Sequence, residues 1–178
     1  RHEIHRVDPG LIKRARALPS ATVHEASGRV GALPPAIKPV HPSMKLCGPA
    51  VTVHSPGGDN LWIHRALYVA KPGDVLVVYA NEVHDYGYWG EIMSTAAQVR
   101  GLGGLVIAGG VRDIDLLERI GFPASARTIA AASRAPHVPW TARGSQPLSA
   151  DVRGASIIRA MGGLLRPGWA TYTQLEHI

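Results

Sequence analysis

The chain has 178 residues, 46% hydrophobic and 18% charged, a composition of one globular domain over 1–178 that excludes a disordered or fibrous protein. No run of about eighteen apolar residues is present to span a bilayer, and Arg1-His2-Glu3 opens no signal-peptide core, so no membrane association and a cytoplasmic location are expected. The net charge of +6 divides into 13 basic against 11 acidic residues over 1–123 and six arginines against Asp151 and Glu176 beyond, a scattered basicity that predicts no nucleic-acid partner. The single Cys47 excludes an internal disulfide and a thiolate zinc cluster.

In chain order, Asp8-Pro9 predicts a helix start through Leu11, Ile12 and Leu18. Thr22-Val23-His24-Glu25 reads as a capping box that opens a short helix closed by Gly28. Leu46 to Val53 reads as a strand ending at Ser55-Pro56-Gly57-Gly58. Asp59-Asn60 caps a helix over Leu61 to Ala70, stopped by Lys71-Pro72-Gly73-Asp74. Val75 to Val78 is a strand buried on both faces, Asn81 to Tyr88 a polar loop, and Glu91 to Arg100 a helix. Leu105 to Ala108 is the next strand, Gly109-Gly110 a turn, and Asp113 to Ile120 a helix closed by Gly121. Beyond Pro123 the pattern weakens: 134–146 reads as loop, Ala155 to Met161 as a short strand or helix, and Trp169 to Ile178 is ambiguous. This alternation implies a mostly parallel α/β sheet, whose ligands sit in the loops after Val53, Val78 and Ala108.

Three loops carry residues suited to chemistry. Gly57-Gly58-Asp59-Asn60 can present backbone N–H groups to an anion, although a helix cap after a tight turn explains the same residues. Arg112 offers a planar fork for a carboxylate and Asp113 a hard oxygen for a divalent cation, against the plainer pairing of a solvated Arg with a capping Asp. Glu91 suits a helix N-terminus whatever its function. Twenty residues separate Glu91 from Arg112, one helix plus one strand, which brings the two loops to one crevice. His24, His54, His64 and His84 read as packing or surface residues, and Trp62 and Trp89 as core or subunit contacts.

The runs Gly58-Asp59-Asn60-Leu61, Lys71 to Val78, Trp89-Gly90-Glu91-Ile92-Met93, Gly104 to Ile107 and Gly110-Val111-Arg112-Asp113 with Gly121-Phe122-Pro123 together resemble one family over about residues 20–128. It is that of the divalent-metal 4-hydroxy-4-methyl-2-oxoglutarate / 4-carboxy-4-hydroxy-2-oxoadipate aldolases, which share a fold with the regulator of ribonuclease E activity A. The resemblance implies a swivelling β/β/α-type domain and a class II pyruvate aldolase, a lyase of aromatic degradation, with oxaloacetate decarboxylase side activity. It also implies a homotrimer or homohexamer with sites between subunits. By the same resemblance Asp113 anchors Mg²⁺ or Mn²⁺ largely through waters, and Arg112 binds the 2-oxo acid substrate and offsets developing negative charge. The amides of Ile92 and Met93 after Gly90 hold the pyruvate carboxylate, Glu91 is the acidic residue that helps polarise the base, and Asn60 and Glu25 line the pocket, Glu25 serving equally well in the capping box. The lysines Lys13, Lys38, Lys45 and Lys71 supply no Schiff base to such a mechanism, which a metal-stabilised enolate does not require.

The chain departs from the family after Pro123. Arg166-Pro167-Gly168 is followed by Trp169 where the family has Asp, the Asp-rich hairpin is missing, and Leu116 stands where some members carry an acid. The tail over 129–178 therefore reads as divergent or truncated, and the start at Arg1 leads us to expect a preceding segment. Two rival readings follow: a non-catalytic regulator that binds a protein partner, and a silent oligomer with weak metal affinity.

Overall fold

The computed structural model describes residues 4, 6–131 and 157–160, with the side chains of 157–160 left aside. Two helices lead the chain. In α1 (Pro9–Ala17) the Asp8 carboxylate accepts from the Leu11 amide at 3.2 Å, the expected cap. Helix α2 (Ser20–Ala26) corrects the capping-box reading. It starts at Ser20 behind Pro19, so Thr22 lies inside it and Glu25 in its last turn, where the Glu25 carbonyl accepts from Gly28 in left-handed conformation.

The strands are β1 (Lys38–Pro39), β2 (Leu46–His54), β3 (Val75–Tyr79), β4 (Gly87–Trp89), β5 (Gly104–Val111), β6 (Ala124–Ile129) and β7 (Ile157–Ala160). The helices between them are α3 (Leu61–Val69), α4 (Glu91–Val99) and α5 (Ile114–Ile120). The sheet runs β1-β6-β5-β3-β2-β7, and β4 pairs with β5 outside that path. Pairs β2–β3, β3–β5, β5–β6 and β4–β5 are parallel, while β1 and β7 flank the sheet antiparallel. The expected mixed α/β fold with a mostly parallel sheet is therefore present.

The three crossovers step across the sheet in one direction, so one handedness puts all three helices on one face. Side-chain alternation records this. Leu76 and Val78 of β3 and Leu105 and Ile107 of β5 join Ile63, Ala66, Met93, Ala97 and Leu117 from the helices. Val75, Val77 and Val106 point the other way, onto Leu33 and Ile37. No helix among the described residues is long and apolar enough to cross a membrane.

Three strands lack a sequence signal. Strands β1 and β4 are two and three residues long, and β6 is Ala-Ser-Ala-Arg-Thr-Ile, without the β-branched run that marks a strand. Gly109-Gly110, read as a turn, lies inside β5. A Cβ on Gly110 would sit 2.5 Å from the Tyr86 carbonyl oxygen and one on Gly109 3.0 Å from the Tyr88 ring, so these glycines serve a close approach.

At the amino end of β3, Asp74 is fully buried. Its carboxylate accepts from Arg6 Nη2 and from the Lys71 amide, both at 2.8 Å. Sequence reading took Asp74 for turn punctuation. It is a buried ion-pair partner that ties the N-terminal segment to the sheet. Asp74→Ala leaves Arg6 unpaired and is expected to lower unfolding free energy by about 3 kcal/mol, measured by urea denaturation. A loss under about 0.5 kcal/mol, the size of an ordinary surface change, contradicts the role.

Candidate active site

The site lies at the carboxyl end of β5, where the β4–α4 junction passes over the chain leaving the strand. Arg112 donates its amide to the Trp89 carbonyl at 2.9 Å, so β4 holds the first residue beyond β5. Asp113 follows at φ 59°, left-handed, a conformation that Asp tolerates better than most residues. It makes no side-chain cap to its own helix. The turn instead carries its carboxylate to the neighbouring helix, where Oδ2 accepts from the Glu91 amide at 3.2 Å.

Gly90, the N-cap of α4, is buried against both side chains. A Cβ there would fall 2.5 Å from Asp113 Oδ2, 2.9 Å from Arg112 Cγ and 3.1 Å from Arg112 Nε. Its φ of −155° is extended backbone, so the demand for glycine is one of space. Gly87 repeats it, since a Cβ there would meet Arg112 Cβ and Cδ at 3.3 Å. The Arg112 stem thus lies along a glycine-lined track. Its Nε is 3.7 Å from Asp113 Oδ2, with side chains 41% and 38% exposed, a pairing too open to neutralise either group.

Helix α4 starts rigidly. Trp89 is fully buried, stacks on Phe122 at 5.8 Å, and donates Nε1 to Ser94 Oγ at 2.7 Å. Trp89 is core, one of the two expected alternatives. The Glu91 amide is spent on Asp113 and the Ser94 amide on the Gly90 carbonyl. The amides of Ile92 and Met93 have no carbonyl four residues back within the helix, and they carry the positive end of its dipole. Ile92 projects its side chain outward, 75% exposed, while Met93 is buried.

Asn60 enters by a different route. Its Nδ2 donates to the Tyr88 carbonyl at 3.2 Å and lies 3.9 Å from Met93 Sδ, so it braces β4 against α4. Two amides of the Gly57 to Asn60 turn are already engaged within the protein, which favours the capped-turn reading over the anion reading. The Gly58 amide donates to Tyr88 Oη at 2.7 Å, the Asp59 amide to the Pro56 carbonyl, and Asp59 Oδ1 accepts from the Leu61 amide at 2.8 Å. Tyr88 Oη in turn donates to the Val83 carbonyl at 2.8 Å. Burial pushes the Tyr88 phenol above its ordinary pKa, with the Gly58 N–H opposing. Sequence reading missed Tyr88, whose only signal is an aromatic in a polar loop. Glu25 is exposed, and among the described residues no hydrogen bond or ion pair joins it to this cluster.

Arg112, Asp113, Gly90 and Glu91 therefore form one neighbourhood, with the amides of Ile92 and Met93 beside it. No group of three or more His, Cys, Asp or Glu able to hold a metal comes together among the described residues. An all-protein cage is thus lacking there. The donor set fits the other common arrangement, in which Mg²⁺ takes one or two carboxylates and keeps several waters; the half-exposed Asp113 carboxylate meets that requirement.

The Aldolase/RraA model of the RraA-like family matches residues 20–155. The chain belongs to the RraA-like family. A Halalkalibacterium halodurans relative, named "Putative 4-hydroxy-4-methyl-2-oxoglutarate aldolase", is 34% identical over 126 residues, which are 70% of this chain and 60% of that protein's length. Among solved structures, Streptomyces coelicolor RraAS2, described as an unusual member of the RNase ES inhibitor RraA protein family, superposes with a TM-score of 0.71 at 21% identity, covering 93% of this chain and 88% of that one. The RNA-processing inhibitor RraA from Thermus thermophilis gives 0.60 at 18% identity over 82% and 84% of the two chains. These two likenesses establish the RraA-like fold.

Gly90→Ala tests the geometry of this family member directly. The added methyl is expected to displace Asp113 and Arg112 and to lower stability by about 1–3 kcal/mol, read by thermal denaturation. A variant as stable as the parent, with an unmoved Glu91 amide resonance, contradicts the close approach.

Proposed function

We propose that this chain is a metal-dependent pyruvate aldolase, cleaving 4-hydroxy-4-methyl-2-oxoglutarate or 4-carboxy-4-hydroxy-2-oxoadipate and decarboxylating oxaloacetate as a side activity. The observation that carries the proposal is the convergence of Arg112, Asp113 and the uncommitted α4 amides at one strand end. That set matches a substrate with a carboxylate beside a carbonyl that must gain negative charge. The 34% identical relative supports the same reaction class.

In this reading the Ile92 and Met93 amides bind the 2-oxo acid carboxylate at the helix start, and Gly90 lets Asp113 and Arg112 pack close beside them. Glu91, through a water, takes the proton of the C4 hydroxyl. The C3–C4 bond then breaks, its electron pair passes into the pyruvate enolate, and a proton returned to C3 completes pyruvate. The Arg112 guanidinium faces the charge as it develops. When bound at Asp113, Mg²⁺ or Mn²⁺ supplies Lewis-acid stabilisation of the enolate. Assembly as a homotrimer or homohexamer is part of the proposal, supported by Ile92, Tyr68 and Val99, which are 75%, 76% and 83% exposed on α3 and α4.

The second reading is a non-catalytic regulator that binds a protein. It is favoured by the likeness of fold to the Thermus inhibitor. Pyruvate release from 4-hydroxy-4-methyl-2-oxoglutarate and from oxaloacetate separates the two. The aldolase predicts Mg²⁺-dependent turnover, abolished by chelator and reduced about a hundred-fold or more by Arg112→Ala. No turnover on either substrate by the folded protein with metal present contradicts the aldolase and favours the regulator.

A further inference from the structure

The loop between β3 and β4 contains an arrangement that none of these roles uses. Asn81 and Glu82 are consecutive non-glycine residues in left-handed conformation, φ 52° and 59°. Such backbone persists only where its surroundings hold it. What holds it here is Glu82, whose carboxylate is occupied at both oxygens: Oε1 accepts from Tyr79 Oη at 2.9 Å and Oε2 faces His84 Nε2 at 3.2 Å. The other ring nitrogen, His84 Nδ1, lies 3.1 Å from the Ala108 carbonyl oxygen of β5. A carbonyl and a carboxylate are both acceptors, so the two contacts are attractive together only when both ring nitrogens carry protons.

We propose that Tyr79, Glu82 and the imidazolium of His84 form an ionic clamp that fixes the 81–86 loop on the carboxyl end of the sheet and makes His84 a positioning residue for Arg112. The path to Arg112 is short. The His84 carbonyl accepts from Thr128 Oγ1 at 2.5 Å, binding the loop to β6. The loop continues into Tyr86, whose carbonyl oxygen a Cβ on Gly110 would meet at 2.5 Å, and into Gly87, which lies against the Arg112 stem. The catalytic half of this inference rests on the proposed aldolase reading; the clamp does not.

The clamp has a pH window with two edges. The Tyr79 hydroxyl first, and His84 second, hold the Glu82 carboxyl below its ordinary pKa, and Tyr79 is correspondingly raised. The Glu82 contribution is therefore present above the ordinary carboxylate range and lost as pH falls through the lowered value. At the other edge, loss of one imidazole proton sets a lone pair against an acceptor and opens the contact. The charged or titratable groups around it are Glu82 and Asp85 on the loop, Tyr79 on β3 with the His54 ring of β2 5.3 Å away, and Arg127 on β6, which also lowers Glu82. The His84 side chain is 14% exposed and that of Glu82 66%, so the contact is partly screened by water.

Amide hydrogen exchange of the whole protein, corrected for intrinsic rates, tests this in wild type and in Glu82→Gln. The reporters are the Val83 amide in the loop, the Tyr88 amide in β4 and the Arg112 amide at the site, which donate to the Ala80, Tyr86 and Trp89 carbonyls. As the ring loses a proton with rising pH, wild-type protection is expected to fall about five-fold at all three. Glu82→Gln is expected to stay flat, because a glutamine amide donates to the neutral ring. Wild-type pyruvate release is expected to fall on the alkaline side, and that of Glu82→Gln to lack this fall. Identical exchange profiles in the two proteins, or a His84 ring with one protonated nitrogen at pH 6 in nitrogen-15 spectra, overturn the clamp. A pH-dependent loop with an unchanging Arg112 amide overturns the positioning role. If no pyruvate is released by either protein, the exchange data still decide the clamp, and only the aldolase reading fails.

Discussion

The candidate site depends on one steric constraint: a backbone at Gly90 that passes within contact distance of two side chains 22 and 23 positions later. Because no Cβ intervenes, Asp113 reaches the first amide of α4 and Arg112 lies flat against the strand-to-helix turn. The left-handed backbone at Asp113 belongs to the same arrangement. It directs the carboxylate to the neighbouring helix and leaves α5 without a side-chain cap. Trp89, stacked on Phe122 and bonded to Ser94, holds α4 so that the approach is maintained.

The fold supplies this constraint by winding in one direction. Three crossovers of the same hand place α3, α4 and α5 on one face, so consecutive strand ends and helix starts line up along the same sheet edge. Strand β4 then adds onto β5 outside the main order and carries Gly87 and Gly90 over Arg112. The opposite edge of the sheet is secured separately, by Asp74 and Arg6. The buried ion pair and the candidate site thus occupy different ends of the strands, the carboxyl end being the usual ligand side of parallel α/β sheets.

Much of this was readable in the chain. Continuous apolar runs marked β3 and β5, and the twenty residues between Glu91 and Arg112 placed their two loops together, because one helix and one strand take up that length. What escaped was whatever depended on distant partners. Strand β6 is built of small and polar residues that become a strand by pairing with β5 and β1, and Gly109-Gly110 looked like a turn because the Tyr86 and Tyr88 groups that require glycine there are distant along the chain. The Gly57 to Asn60 turn resembled an anion cradle until Tyr88 was seen to occupy an amide, and Thr22 and Glu25 had the letters of a capping box without its position. The stretches 132–156 and 161–178 fall outside the described residues, and with them the reading of Trp169 to Ile178.

The central claim is that the Gly90–Arg112–Asp113 neighbourhood binds a 2-oxo acid through the α4 amides. The most direct measurement is nitrogen-15 amide mapping during titration with oxalate, a stable mimic of the pyruvate enolate, in the presence of Mg²⁺. The account predicts saturable shifts centred on the amides of Gly90, Ile92 and Met93 and on the Arg112 Nε resonance, greatly weakened by Asp113→Asn. Saturable shifts centred elsewhere, or none at these positions with Mg²⁺ present, would contradict it.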